Sequence, residues 1–302
     1  MDKLCFLISM EASDYYFNQV KFLLYSFRKY AGTLKDSFFY ICVNDGGLDQ
    51  NKIDFLEKNF SPLEVVQKKY QGLSHGFARR YNLFQHFDKF SEFDSFVYLD
   101  CDIMIGADIK PILKLNDKAS FKGIPSGIIE SKILTNYDDV LETEFGFSKS
   151  NIEKIKQNWE FLKSQEIWNR QCPSTTPHFN GGLWILDKSA FIAIKNHIQF
   201  YLRKCYMLSS GKRSKLKTQL WNFEQTALSI FVMKEIENYS LLNFSWKGPE
   251  IYHNFKGVYG ELHYRNPMHP DIKSKYPNYD SKMNYCFIAK IITEFYEECD
   301  EI

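Results

Sequence analysis

The residues most able to do chemistry lie in Phe96-Val97-Tyr98-Leu99-Asp100-Cys101-Asp102-Ile103-Met104-Ile105, where two carboxylates stand one residue apart inside an otherwise apolar run. Burying unpaired carboxylates there is costly, and a divalent cation removes the cost. Mg²⁺ and Mn²⁺ take hard oxygen ligands, held by one or two carboxylates together with substrate phosphates. The plainer alternative is that one Asp caps the following turn and the other forms an ion pair. Elsewhere, Asn180 stands at the head of an apolar strand beside Gly181-Gly182, and Glu224-Gln225 opens a helical stretch, where acids also serve as caps. An asparagine offers both donor and acceptor, and glycines let another group approach the backbone closely.

The elements that must position these residues read as an alternating α/β pattern. Leu4 to Ile8, Phe38 to Val43, Leu63 to Val66 and Phe96 to Leu99 suit strands, the first apolar enough to be buried on both faces. Between them, helices are expected around Val20, Leu23, Leu24 and Phe27 (ended by Gly32), over Ile53 to Lys58, and over Phe77 to Phe87. Such alternation with short connections predicts a mainly parallel sheet flanked by helices, with Asp100 and Asp102 at a strand's carboxyl end, where open α/β sheets bind ligands. Further on, helices are expected over Ile152 to Trp168, Ser189 to Tyr206 and Phe223 to Lys234, with a strand Leu183 to Leu186 opened by Phe179-Asn180-Gly181-Gly182. His178 and His269 are read as surface or turn residues. The tail with Ile288, Ile291, Ile292 and Phe295 is amphipathic, but Glu294, Glu297 and Glu298 on its polar side argue against anionic lipid, so it is expected to pack on its own domain.

Composition narrows the class. With 302 residues and 44% hydrophobic residues the chain can bury a sizeable core. A formal charge of +1, from 38 Lys+Arg against 37 Asp+Glu, is too balanced for a general nucleic-acid binder. No apolar run approaches the ~18–20 residues of a membrane span, and Leu4 to Met10 lacks a cleavage pattern, so a soluble, cytoplasmic protein is expected. The seven cysteines are scattered without a CxxC pair, which argues against a disulfide framework or zinc cluster and for buried thiols. The basic stretch Gly211-Lys212-Arg213-Ser214-Lys215-Leu216-Lys217 reads as a solvated loop, with contact to an anionic acceptor or membrane surface as the alternative.

Several motifs in order resemble a known family. Tyr98-Leu99-Asp100-Cys101-Asp102 resembles a YLDxD metal motif and Phe77-Ala78-Arg79 an Arg-bearing helix. Phe179-Asn180-Gly181-Gly182-Leu183 resembles an FNxG strand opening, and Asn222-Phe223-Glu224-Gln225 a DQ motif with Glu for Asp. Together they resemble the GT-A-fold glycosyltransferases, most closely glycosyltransferase family 8, the retaining enzymes that include glycogenin and the lipopolysaccharide galactosyl- and glucosyltransferases. The resemblance implies a GT-A (Rossmann-like) domain over 1–270, with a nucleotide-sugar half 1–110 and an acceptor half 111–270, and a C-terminal helical extension over 271–302. It implies Mn²⁺ (or Mg²⁺) on Asp100 and Asp102, the latter near the ribose or sugar, and Arg79 on the diphosphate or donor sugar. Tyr16, next to Tyr15, would stack on the base, and Asn180 and Gly181 would meet the sugar. Gln225 and Glu224 would be the catalytic pair. The third metal ligand would be His263, preferred for its place before a polar, Pro-containing segment, or else His253, although the family's H-x-x-G-x-x-K-P-W form is missing. A UDP-hexose donor, a glycan or glycolipid acceptor and retention of anomeric configuration follow from the same resemblance, while no nucleic-acid partner is expected from the balanced charge.

Three other readings are weaker. A haloacid-dehalogenase-type phosphatase would carry its DxD near the N-terminus and follow it with a pair such as Gly-Thr, where this chain has Ile103-Met104. A nucleotidyltransferase would want a Gly-rich, basic loop after the first strand, and Ser9-Met10-Glu11-Ala12-Ser13 is none. A non-catalytic carbohydrate- or partner-binding module of the same fold would fail to bind Mn²⁺ and nucleoside diphosphate.

Overall fold

In a computed structural model the described residues are 3–70, 72–73, 76–125, 137–165, 175–210, 223–236, 238–242, 251–253 and 282–299. The chain begins β1 (Leu4–Glu11), α1 (Asp14–Tyr30), β2 (Phe38–Asn44), α2 (Gln50–Phe60) and β3 (Leu63–Lys68). A 3₁₀ turn over Gly76–Tyr81 leads into α3 (Asn82–His86), followed by β4 (Ser95–Leu99), β5 (Ile103–Ile105) and β6 (Phe121–Pro125). Then come α4 (Tyr137–Phe145), α5 (Lys149–Ser164), β7 (Phe179–Asp187), α6 (Lys188–Ser209), α7 (Phe223–Glu235), β8 (Tyr239–Leu241), β9 (Ile251–His253) and α8 (Lys282–Glu298). Seven strands form a mixed, mainly parallel sheet in the order β3-β2-β1-β4-β7-β6-β8, with β5 and β9 as a separate antiparallel pair. This is the helix-flanked α/β architecture that the alternating pattern predicts.

The chain divides into two compact units: residues 6–69, 99–115 and 244–302 make one, and 1–5, 70–98 and 116–243 the other. In the first, β2 and β3 pair in parallel through Phe39↔Leu63 to Asn44↔Lys68. Phe6, Phe27 and Phe39 pack their rings at 4.6 to 5.1 Å in its core. Helix α1 starts where the Ser13 hydroxyl accepts the Tyr16 N–H, and it stops at Ala31 because Gly32 turns left-handed at φ 62°. The acidic tail packs within this unit, as expected. Phe295 of α8 sits against Phe22, Tyr25 and Phe55, Lys21 Nζ lies 4.7 Å from the Phe295 ring centre, and Lys29 bridges to Glu294 and Glu298.

In the second unit β6 pairs antiparallel with β7 and parallel with β8. The core stacks Tyr98 on Trp184 at 4.5 Å, with Phe191 of α6 against Phe84, Phe87 and Phe96. Asp187 Oδ1 accepts the Ala190 N–H to start α6, and the Ser148 hydroxyl accepts the Asn151 N–H to start α5. The stretch expected as one helix from Phe77 to Phe87 is instead a 3₁₀ turn followed by the short α3, because apolar spacing over two turns does not separate a 3.0 from a 3.6 period. Helix α5 ends at Ser164, and the expected extension to Trp168 runs outside the described residues.

Candidate active site

The acids occupy the turn between β4 and β5. Leu99 ends β4, Asp100-Cys101-Asp102 follows, and Ile103 starts β5. Asp102 is 7% exposed and Asp100 half-buried. Within the same unit, helix α1 holds this turn from beneath. The Cys101 thiol donates to Gln19 Oε1 at 3.1 Å, and the Ile105 N–H donates to Ser26 Oγ at 3.0 Å. Turning Cys101 onto the buried Gln19 is the reason a thiol fits between the carboxylates. Tyr16, at the start of α1, is half-buried and Tyr15 exposed, so Tyr16 is the ring held near this turn. Burial first, then the ionisable groups of Cys101, Glu11, Tyr15 and Asp102, push the Tyr16 hydroxyl above its ordinary range.

Two hard carboxylates on a two-strand turn are a donor set that fits Mn²⁺ or Mg²⁺, with substrate oxygens completing the shell. Among the described residues no group of three His, Cys, Asp or Glu side chains forms a closed metal cage. The backbone of His253 lies in β9 opposite Ile103, one residue beyond Asp102. His263 and His269 lie outside the described residues.

The other unit gathers Arg80, Asn180, Gly181, Glu224 and Gln225. Asn180 Oδ1 accepts the Gly182 N–H at 2.7 Å, which fixes which end of its amide is the donor. The Gly181 carbonyl receives Arg80 Nη1 at 2.7 Å and the Trp184 indole N–H at 2.9 Å. A Cβ on Gly181 would stand 2.6 Å from Arg80 Nη1 and 3.5 Å from Gln225 Cγ, so the residue that approaches this glycine's backbone is Arg80, with the Gln225 side chain alongside. Arg80 Nη2 lies 3.8 Å from Glu224 Oε1, and the Glu224 side chain is only 2% exposed. The guanidinium therefore joins the strand opening to the first turn of α7. Arg79, half-buried, adds its charge near the Tyr70 hydroxyl. The sequence pattern singles out Arg79, and nothing in an Arg-Arg pair on a short helical segment tells that Arg80 is the one bonded to Gly181.

His178 corrects an expectation. It is a buried residue, not a surface or turn residue: it is 4% exposed, and burial pushes its imidazole down to about 4. Its Nε2 lies 3.4 Å from Thr226 Oγ1 on α7. Cys5, Cys42, Cys101, Cys205 and Cys299 are free thiols, the first four of them buried, as expected. Cys172 and the basic stretch 211–217 lie outside the described residues. Among the described residues no helix is long and apolar enough to cross a membrane.

No family model matches the chain, and no curated protein matches it. Solved structures that it is similar to include glycosyltransferases. One is the glycosyltransferase GlyE of Streptococcus pneumoniae, at 12% identity and TM-score 0.47 over 95% of this chain and 63% of that one. Another is the galactosyltransferase LgtC, solved with donor and acceptor sugar analogs, at 11% identity and TM-score 0.48 over 99% and 97%. A third is mouse xyloside xylosyltransferase 1, at 12% identity and TM-score 0.43 over 80% and 85%. The chain thus spans less than two thirds of the GlyE chain.

Proposed function

We propose that the chain is a metal-dependent glycosyltransferase that moves a hexose from a UDP-sugar to a glycan or glycolipid acceptor with retention of anomeric configuration. The observation that carries this reading is the Asp100-Cys101-Asp102 turn at the carboxyl end of β4, beside the half-buried Tyr16. Asp100 and Asp102 would hold Mn²⁺, with His253 or His263 as a third ligand. The bound ion would supply Lewis-acid stabilisation of the charge that develops on the leaving diphosphate, worth several kcal/mol. Tyr16 supplies a flat face for the base, and Arg79 a guanidinium for the diphosphate or donor sugar.

The amide of Asn180 is oriented by Gly182 and can recognise sugar hydroxyls as a donor. Gln225 is too weak a base to take a proton, so its role is to stabilise oxocarbenium charge while the leaving phosphate accepts the acceptor's proton. Glu224 is buried with one carboxyl oxygen 3.8 Å from the Arg80 guanidinium, which favours Gln225 over Glu224 as the group facing the anomeric carbon. An inverting course would require an acceptor-side carboxylate base. The test is calorimetry of UDP, GDP, CMP and ADP with and without Mn²⁺, followed by proton NMR of the first-formed product. Tight binding of UDP only with Mn²⁺, abolished in Asp100→Asn and Asp102→Asn, and an α-linked product from an α-linked donor are expected. No binding of Mn²⁺ or nucleoside diphosphate would leave a non-catalytic carbohydrate-binding module, and a β-linked product would refute retention.

A further inference from the structure

Ser229 lies one turn beyond Gln225 in α7, fully buried, and its single hydroxyl makes two bonds. It donates to the Gln225 carbonyl at 2.6 Å and accepts the Phe179 N–H at 2.9 Å. The first bond is ordinary for a serine within a helix. The second is not local, because it takes up the backbone N–H of the first residue of β7. Phe179 sits opposite Pro125, beyond a register shift between Gly123 and Pro125 at the end of the β6–β7 ladder. A buried N–H at such a ladder end needs a partner, and Ser229 is that partner. One residue earlier, His178 reaches Thr226, so residues 178 and 179 are bonded to residues 226 and 229, and the Ser229 hydroxyl passes the link on to the Gln225 carbonyl. Two residues later the strand carries Gly181, against which the Gln225 side chain lies.

We propose that Ser229 is a positioning residue for Gln225: its hydroxyl ties the carbonyl of Gln225 to the start of β7 and so sets where the Gln225 amide stands relative to Asn180 and Gly181. The proposal rests on the reading in which Gln225 acts on the sugar. Ser229 itself touches no substrate and stands behind the reacting groups. A side chain that must face one carbon atom within a few tenths of an ångström needs its backbone fixed from outside its own helix, since a helix rotation or slide moves the amide without breaking any bond inside α7.

The experiment compares Ser229→Thr with Ser229→Val, which share a shape and differ in the hydroxyl. Both add a methyl to a full core, so their difference isolates the hydrogen bonds. Sugar transfer is measured with UDP-hexose and Mn²⁺, and amide exchange of Phe179 is measured on the same proteins. Ser229→Val is expected to lower kcat roughly 10- to 100-fold against Ser229→Thr. The donor KM should stay within about two-fold, the split expected when a transition-state contact is lost and binding is not. The Phe179 amide should exchange faster in Ser229→Val by more than any change in global stability. Equal kcat in the two variants overturns the proposal, as does a Phe179 amide equally protected in both. A wild-type protein that transfers no sugar refutes the functional reading and the positioning role with it. That outcome shows in the unmutated control, whereas failure of the clamp alone shows only in the variants.

Discussion

His178 gives a prediction whose size follows from its surroundings. In the unfolded chain an imidazole titrates near 6.5, whereas in the folded protein burial holds this one down to about 4. The sign is that of a depressed group. Above pH 6.5 the ring is neutral in both states and costs nothing. As pH falls from 6.5 to 4 the unfolded chain takes up a proton that the folded protein refuses, so stability drains away across that window and the loss is complete below it. A gap of about 2.5 pH units at 1.36 kcal/mol each amounts to about 3 kcal/mol in full, and about 2 kcal/mol by pH 5. Carboxylates titrate over part of the same range, so the comparison must be with a variant that lacks only the imidazole. His178→Gln can still reach Thr226 with a polar atom and carries no titrating group. Urea unfolding of both proteins at pH 7.5, 6.0 and 5.0 should show the stability difference between them shifting by about 2 kcal/mol in favour of the variant as pH falls. A difference that stays constant with pH would refute the claim that this ring is buried and neutral. So would a ring proton of His178 that titrates near 6.5 in the folded protein.

The Arg80–Glu224 pair should behave as a buried pair whose members cannot be removed singly. Arg80→Met is expected to cost about 3–5 kcal/mol in urea unfolding, because it removes the cation beside a carboxylate whose side chain is 2% exposed and leaves the Gly181 carbonyl with the Trp184 indole N–H but without its guanidinium donor. The double variant Arg80→Met/Glu224→Gln should recover about 1–3 kcal/mol of the summed single costs, and strict additivity would show that the two side chains do not interact. Gly181→Ala places a methyl 2.6 Å from Arg80 Nη1, so it should break the bond to the Gly181 carbonyl and cost roughly 1–3 kcal/mol, with unchanged stability as the refuting result. In the other unit, Phe295→Ala should destabilise by about 3–5 kcal/mol through loss of the ring between Phe22, Tyr25 and Phe55. Lys29→Met, whose side chain is 29% exposed, should cost no more than about 1 kcal/mol per ion pair and less at high salt, and reversal of that ranking would show that charge and not burial docks α8.

The sequence by itself determined the α/β class and most of the elements that carry the candidate site. β1 to β4, α1, α2, α6 and α7 all follow from apolar runs and helical spacing long enough to register a period, and Gly32 marks the end of α1 because only a glycine takes that left-handed turn cheaply. The acids at the end of β4 were legible for the same reason, since a charged pair interrupting a buried strand is visible without coordinates. The tertiary structure alone decided what short or non-periodic segments do. β5, β6, β8 and β9 run three to five residues, too short for alternation to show, and exist because a neighbouring strand supplies their hydrogen bonds. It also decided the partners of Arg80, which reaches both Gly181 and Glu224, residues about 100 and 144 positions away in the chain. His178 and Ser229 carried no signal of their own. One polar residue beside a strand and one on a helix look like surface until the strand and the helix are packed together, because hydrogen bonds such as His178–Thr226 and Phe179–Ser229 join residues 48 and 50 positions apart, and no local pattern records a partner at that distance.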